Sequence, residues 1–407
     1  MDQSFSTKSF WRLLRRGDPE KYSLGVGNSA IRLSLSDIET QVQDEHFAFS
    51  SFKTQIRNGC LVLTSSTAAD EFVLRKIADN LRRALNISSA DRNSIVPQVI
   101  QLAKEAKDET IHKFDIKGFF ESIDRSRLLI DLKLEPTVSP KTIQLIANLF
   151  NSDQIKHSAG LPRGLSVSSI LSEYYLRKFE DGCRRLPYCY FYTRYVDDAL
   201  FFCHGDASTI ESDINKLLPT GLTLNARKTT CIKIDKDGIT GSKTSASREI
   251  SYLGYSIKFP STKKDKFTVS IPEKKVSKIK SRIAISIMQY IRDEKYEDLI
   301  LRIRFLTSNF KVGGSKQNGT LYSGIYYNHQ YINKESATTI FKELDCFLQK
   351  LVYSKTGSIG TKLSSRLNNA QRRHICSHSF LKGHSAPVFR HFKNKQLGEA
   401  RGVWAHA

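Results

Sequence analysis

No long apolar run occurs anywhere in this chain, and no two cysteines are spaced as Cys-x-x-Cys. The first absence excludes a membrane-spanning helix, which needs about 20 consecutive apolar residues. The second leaves seven scattered cysteines, which read as small buried hydrophobes in a reducing compartment rather than as a disulfide framework. His374, Cys376, His378, His384 and His391 fit none of the common zinc spacings. The opening residues Met1-Asp2-Gln3-Ser4-Phe5-Ser6 carry no apolar stretch of the secretory kind, so a cytoplasmic protein is expected. Internal repeats and low-complexity segments are absent too. Negative charge is the scarcest commodity: 41 Asp and Glu stand against 63 Lys and Arg, a formal net charge of +22. Such an excess calls for a polyanionic partner, nucleic acid before all others. An anionic membrane is the weaker rival, because neither end reads as a basic amphipathic helix.

What is present is led by Cys189-Tyr190-Phe191-Tyr192-Thr193-Arg194-Tyr195-Val196-Asp197-Asp198-Ala199-Leu200-Phe201-Phe202-Cys203. Two aromatic-rich runs flank adjacent carboxylates, the pattern of a hairpin with Tyr-Val-Asp-Asp at its turn. Neighbouring anions repel and lose hydration when half buried. By itself the pair reads equally as a surface turn or as a cation site. A third carboxylate, Asp115, ends the strand-like run Ile111-His112-Lys113-Phe114-Asp115, before a turn at Gly118. If the two strands are sheet neighbours, Asp115 faces Asp197.

Three other stretches surround these carboxylates in the chain. Gly160-Leu161-Pro162-Arg163-Gly164 is a loop that enters a helix through Ser166, Ser168 and Ser169, and a glycine-flanked loop lets a planar ligand approach. Lys228 lies in a turn before the strand Cys231–Ile234, and Tyr252-Leu253-Gly254 lies in one arm of a hairpin whose return is Phe267–Ile271. Further upstream, a helix near 70–86 carries Arg75 and Arg82, and Arg92 lies in the polar break Ser89-Ala90-Asp91-Arg92-Asn93 that follows it. These cations read either as a solvated helix face or as the lining of a groove for triphosphate or template. The stretch 309–331 reads as a loop, and the segment after Lys355 as a basic tail against phosphates, with Glu399 its single acid.

In this order the stretches resemble the motifs of the reverse transcriptases: Phe114-Asp115-Ile116-Lys117-Gly118-Phe119-Phe120, Leu161-Pro162-Arg163-Gly164, Tyr195-Val196-Asp197-Asp198, Leu224-Asn225 to Lys228-Thr229, and Tyr252-Leu253-Gly254. The resemblance implies an α+β right-hand polymerase with fingers, an antiparallel-sheet palm of ferredoxin-like core and a helical thumb. Its divisions fall at 1–110 for the N-terminal region and fingers, 111–271 for the palm (with part of the fingers at 132–160), 272–354 for the thumb and 355–407 for a basic extension. It implies two Mg²⁺ ions, for which Mn²⁺ can substitute, held by Asp115, Asp197, Asp198 and the Ile116 backbone. Nucleotidyl transfer uses such a pair about 3.5–4 Å apart, and Mg²⁺ favours carboxylate oxygens. Lys228 would neutralise or protonate pyrophosphate. Phe120, five residues after Asp115, would exclude a 2′-hydroxyl, with Phe119 as the competitor for that place. Arg163 and Gly164 would contact substrate, with Arg75, Arg82 and Arg92 in the fingers, and Tyr252, Leu253 and Gly254 would form the primer grip. An RNA template, dNTPs and a DNA product are the implied partners; an RNA-templated RNA polymerase and a retron or mobile-element enzyme are the alternatives.

Two departures stand out. Arg163 occupies a place where most of the family has Gln, and Ser168-Ser169 replaces Ser-Pro. With Asp91-Arg92-Asn93-Ser94-Ile95-Val96, this pattern resembles bacterial defence-associated reverse transcriptases of the abortive-infection and unknown groups. The nearest resemblance is to the smaller enzyme of the type 3 two-enzyme system. That resemblance implies a noncoding RNA template, a second reverse transcriptase in a homo- or hetero-oligomer, and antiphage function in the bacterial cytoplasm.

Overall fold

The aromatic runs around Asp197-Asp198 do form adjacent strands, and a sheet is built on them. The computed structural model describes residues 2–404 except 16, 58, 89, 206, 241–247 and 316–318. The chain folds as two compact units, one of residues 1–92 and 109–231, the other of residues 93–108 and 232–407.

In the first unit, β1 (Lys53–Arg57) and β2 (Cys60–Thr64) make an antiparallel hairpin. The main sheet holds β3 (Glu109–Asp115), β4 (Cys189–Tyr195), β5 (Asp198–His204) and β6 (Thr230–Ile234) in the order β4-β5-β3-β6. The chain passes from the first unit to the second within β6. Both β3 and β4 run antiparallel to β5. Leu200, Phe201, Phe202 and Cys203 are all fully buried, so β5 is covered on both faces. That is why its sequence is a continuous apolar run rather than an alternating one. Helix starts follow local chemistry: Thr67 Oγ1 accepts from Asp70 N at 3.2 Å, Asp124 accepts from Ser126 N and Arg127 N, and Ser139 Oγ precedes Pro140 and accepts from Thr142 N.

In the second unit, β7 (Glu249–Tyr252), β8 (Tyr255–Lys258) and β9 (Thr268–Ser270) form a three-stranded antiparallel sheet. The arm read as one strand is thus itself a hairpin, folded at Leu253-Gly254. Both linking residues have positive φ, +44° and +87°, the requirement of the tightest hairpin turns. A leucine at the first position hid the turn from sequence reading. Helices Glu273–Asp293, Tyr296–Thr307 and Lys334–Tyr353 bury Ile283, Ile287, Leu299, Ile303, Phe341 and Leu344.

Two further sequence expectations are corrected in this unit. Within 309–331, β10 (Asn309–Ser315) pairs with β11 (Gly319–Gly324), with a register shift between Lys311 and Gly313. Gly, Ser and Asn dilute the apolar alternation there, so the ladder is made mainly by backbone. Nor is the basic segment after Lys355 a tail: its helices, among them Gly357–Ser364 and Asn369–Ser377, bury Leu363, Ile375, Phe380 and Trp404 in the unit's core. Arg372 is buried and donates to the carbonyls of Val352, Leu363, Ser364 and Leu367, so it is withheld from phosphate.

Candidate active site

Register in the main sheet decides which carboxylates meet. Asp115, the last residue of β3, is the direct partner of Asp198, the first of β5. Directly opposed residues of an antiparallel pair share a face. Asp197 lies in the turn, and its carbonyl accepts Ile116 N at 3.0 Å. Three carboxylates from segments remote in sequence are therefore brought to one end of the sheet. Leu224 bridges to Ile116, and Asn225 N donates to the Asp115 carbonyl at 2.7 Å, so the Leu224-Asn225 motif is stitched to the same end.

The side chains form two linked groups. Lys228 Nζ lies 2.9 and 3.0 Å from the two oxygens of Asp115, and Asn225 Nδ2 donates to Oδ2 at 3.2 Å. These bonds to Asp115 raise the Lys228 pKa. Lys228 remains 59% exposed along its side chain, so its ammonium can reach other anions. On the second carboxylate pair, Lys113 Nζ stands 3.3 Å from Asp198 Oδ1. The two form an ion pair whose angles, not its length, miss hydrogen-bond geometry, so Oδ1 is buried without a hydrogen bond. Burial raises Asp198 to about 6 against the pull of Lys113. Burial also raises Asp197, and the charge of Asp115 adds to it, while Lys228 and Arg163 oppose. Asp197 and Asp198, both pushed toward neutrality, gain from added positive charge.

The turn carrying these groups is strained. Val196 has φ +59°, a region that β-branched residues rarely enter. Arg194, with a side chain only 1% exposed, holds the turn by donating to the Val196 carbonyl at 2.5 Å. Its other donors go to Glu180 at 3.0 Å and Glu173 at 2.5 Å. Burial alone would lower its pKa, but the two glutamates outweigh it, so the guanidinium stays charged. Both glutamates lie on the helices Ser166–Tyr175 and Arg177–Arg184, which thereby grip the hairpin tip.

Phe119 is buried in the core, whereas the ring of Phe120 is half-buried and carries the Arg163 guanidinium 5.0 Å from its centroid. Arg163 binds Glu121 through two bonds of 2.6 and 2.9 Å. This pair lowers the Glu121 pKa and raises that of Arg163, which also feels Asp197. Glycines let the loop sit this close. A Cβ on Gly160 would strike the backbone of Phe120 and Glu121, and one on Gly164 (φ +93°) would strike the Leu63 carbonyl and Val62. Leu63 N donates to the Arg163 carbonyl at 2.8 Å. What crowds Gly164 is thus β2 rather than a ligand.

The fingers cations part company. Arg75 is buried and spent inside the fold: it binds Asp18 at 2.6 and 3.0 Å, Glu71 at 2.8 Å and the Leu13 carbonyl. This argues against a substrate contact for Arg75. Arg82 is exposed in the last turn of the helix Ala68–Ala84, and Arg92 is half-buried at the start of Arg92–Glu105. Tyr252, Leu253 and Gly254 make the β7–β8 turn in the second unit, with Tyr252 and Tyr255 buried. Sequence reading quoted Asn225 only as part of a motif and missed Lys113, Glu121 and Arg194. Strand alternation would have flagged Lys113, two residues before Asp115 and on its face. No local signal pairs Glu121 with Arg163.

Among the described residues, no set of three or more His, Cys, Asp or Glu side chains is already arranged around a common ion position. Lysines sit against the carboxylates instead. The donor set nonetheless fits hard divalent cations: every side-chain ligand is an oxygen, and Asp198 Oδ1 is buried with no hydrogen bond.

Similarity to known proteins agrees with this geometry. No curated protein matches the chain. Among solved structures, telomerase from Candida albicans, in complex with a TWJ fragment of telomeric RNA, is 12% identical with a TM-score of 0.41, over 89% of this chain and 62% of that one. Truncated apo telomerase from Candida tropicalis is 14% identical with a TM-score of 0.36, over 53% of this chain and 54% of that one. This chain spans less than two thirds of either, and likenesses of this size carry no argument of their own. The family model described as reverse transcriptase (RNA-dependent DNA polymerase) matches residues 34–257, more than half of the chain, and that span holds Asp115, Asp197, Asp198, Lys228 and the β7–β8 turn. The chain belongs to the reverse transcriptase family.

Proposed function

We propose that the protein is an RNA-directed DNA polymerase that adds dNTPs to a 3′-hydroxyl at the β3–β5 end of the main sheet. One observation carries the reading: Asp115, Asp197 and Asp198 converge there, and Asp198 keeps a buried oxygen without a hydrogen bond. Asp115, Asp197 and Asp198, with the Ile116 carbonyl, would hold two Mg²⁺ ions, or Mn²⁺ in their place. Bound there, the ions would supply Lewis acidity for the attacking hydroxyl and charge neutralisation for the leaving phosphates. Lys228 would move from Asp115 to the departing pyrophosphate and neutralise or protonate it, as its exposed stem allows. Phe120, propped by Arg163, would fill the space that a ribonucleotide's 2′-hydroxyl needs. Its half-buried ring favours this place over Phe119, which lies in the core.

On this reading the main sheet is the palm, the helices after Pro272 the thumb, and the Tyr252-Leu253-Gly254 turn the primer grip. Arg82 and Arg92 would meet triphosphate or template. The sequence resemblance supports a bacterial cytoplasmic role in antiphage defence, with a noncoding RNA as template and a second reverse transcriptase as partner.

Primer extension on an RNA template tests the chemistry. Wild type is expected to incorporate dNTPs in preference to NTPs, and Asp115→Asn to lose at least about 10²-fold in rate. Phe120→Ala is expected to admit NTPs. Equal use of both nucleotides by wild type would instead mark an RNA polymerase. Loss of phage protection in the double variant Asp197→Ala, Asp198→Ala tests the defence role separately.

A further inference from the structure

The second unit carries an exposed aromatic cluster that the polymerase chemistry does not use. Tyr322 on β11 and Phe389 are 45% and 51% exposed. The rings of Tyr322 and Tyr327 stack with centroids 5.1 Å apart and planes 14° from parallel. Phe389 meets both edge-on, at 5.6 and 6.1 Å. Aromatic residues scattered singly on a surface need no explanation, but three in mutual contact do.

A buried residue holds the cluster in place. Asn309 is fully buried and bonds in four directions. Its Nδ2 donates to the Gly383 carbonyl at 2.9 Å, and its Oδ1 accepts from Tyr326 N at 2.9 Å. Its backbone N donates to the Val388 carbonyl at 2.8 Å, and its carbonyl accepts Arg390 N at 2.7 Å. These bonds fix the segment bearing Phe389 and the loop bearing Tyr327 against the β10–β11 hairpin. The rings are therefore ordered before any partner arrives, and a partner stacking on them meets a small entropic cost.

Charge selects the partner. Residues 299–334 and 346–398, which supply the whole cluster, contain no Asp or Glu. Lys311 lies directly across the β10–β11 ladder from Tyr322 and so shares its face. Lys382, Arg390 and Lys393 are exposed in the other segment. Flat aromatic faces among exposed cations are the two components by which unpaired bases and their phosphates are bound together. A duplex hides its base faces and would use only the cations.

We propose that Tyr322, Tyr327 and Phe389 form a stacking platform for single-stranded RNA, with Lys311 and Arg390 contacting its phosphates. The choice of RNA rests on the RNA-copying reading; the platform itself does not.

Binding of a labelled oligouridine RNA of about 15 nucleotides to the full-length protein without nucleotides tests the proposal. Tyr322→Ala and Phe389→Ala are each expected to weaken binding about 5- to 100-fold. Tyr322→Trp should bind as wild type does, whereas Tyr322→Leu should fail like Ala, since it keeps apolar bulk but offers no ring. Binding of duplex RNA should be unchanged in all four variants. Unaltered thermal unfolding confirms that each variant is folded. The proposal is overturned if Tyr322→Leu retains full affinity, which would mark an apolar protein-docking face, or if duplex binding falls as much as single-strand binding. Tighter binding of oligodeoxythymidine than of oligouridine overturns the assignment to RNA. A protein that binds the oligouridine through these rings yet extends no primer refutes the polymerase reading and leaves the platform standing.

Discussion

Two hairpin tips in this molecule have the same outline and opposite logic. Tyr195-Val196-Asp197-Asp198 joins β4 to β5, and Tyr252-Leu253-Gly254-Tyr255 joins β7 to β8. Each is a two-residue link, and each begins with a bulky apolar residue at positive φ, +59° for Val196 and +44° for Leu253. The second relaxes at once, because Gly254 takes the other left-handed position at no steric cost. Its flanking tyrosines are buried, and no charge sits in the turn. The first has no glycine. It is held from outside by Arg194, anchored between Glu173 and Glu180, and it presents two carboxylates that burial drives toward neutrality. A turn that only has to bend can be made locally. A turn that has to present anions is supported by helices elsewhere in its unit.

Breaking that support should give the largest effect. Arg194→Ala leaves the half-buried Glu173 and Glu180 without their partner and is expected to cost about 3 kcal/mol in urea unfolding, the lower end for a broken buried pair, with polymerisation lost. Arg194→Lys should recover part of the stability but little activity, because a single ammonium cannot span both glutamates and the Val196 carbonyl. Equal behaviour of Arg194→Ala and wild type would mean that the strained turn supports itself.

Removing charge from the same tip should act in the other direction. The folded state keeps a proton on Asp198 up to about pH 6, against an ordinary value of 3.8. Its contribution to stability is therefore complete below 3.8 and is lost as pH rises through 6. Asp198→Asn is expected to stabilise the metal-free protein by about 2 kcal/mol at neutral pH and by nothing in acid. Mg²⁺ should raise the unfolding temperature of wild type and leave the variant unmoved. A flat difference across the pH range would show that burial does not perturb this carboxyl.

The second tip should respond least. Leu253→Asn replaces a left-handed leucine with a residue suited to that place and completes an Asn-Gly turn. A gain of about 0.5–1 kcal/mol is expected in thermal unfolding. A loss would mean that the Leu253 side chain contributes packing greater than the strain it imposes.

Legibility in the sequence followed the range of the interaction. Asp115, Asp197, Asp198 and Lys228 stand at strand ends and turns that a few neighbouring residues announce, and the sheet does bring them together. The caps at Asp124 and Ser139 were readable for the same reason. Arg75 was not, since its partner Asp18 lies 57 residues away and helical spacing cannot tell a paired cation from a free one. Glu121 and Arg163, 42 residues apart, escaped in the same way. The β10–β11 hairpin was missed because its strands carry Gly, Ser and Lys where a strand pattern needs alternation. The segment after Lys355 was misread because its many cations masked apolar residues at helical spacing.

The sequence alone determined the chemistry on offer: three carboxylates, a lysine and a cationic chain, in an order that resembles the motifs of the reverse transcriptases. Tertiary structure decided which of those charges are available. Burial and pairing are properties of contacts between distant segments. Register placed Asp115 opposite Asp198, Asp18 withdrew Arg75 from service, and Glu121 turned Arg163 across Phe120. No local pattern encodes those pairings, because each depends on two segments whose separation in the chain says nothing of their distance in space.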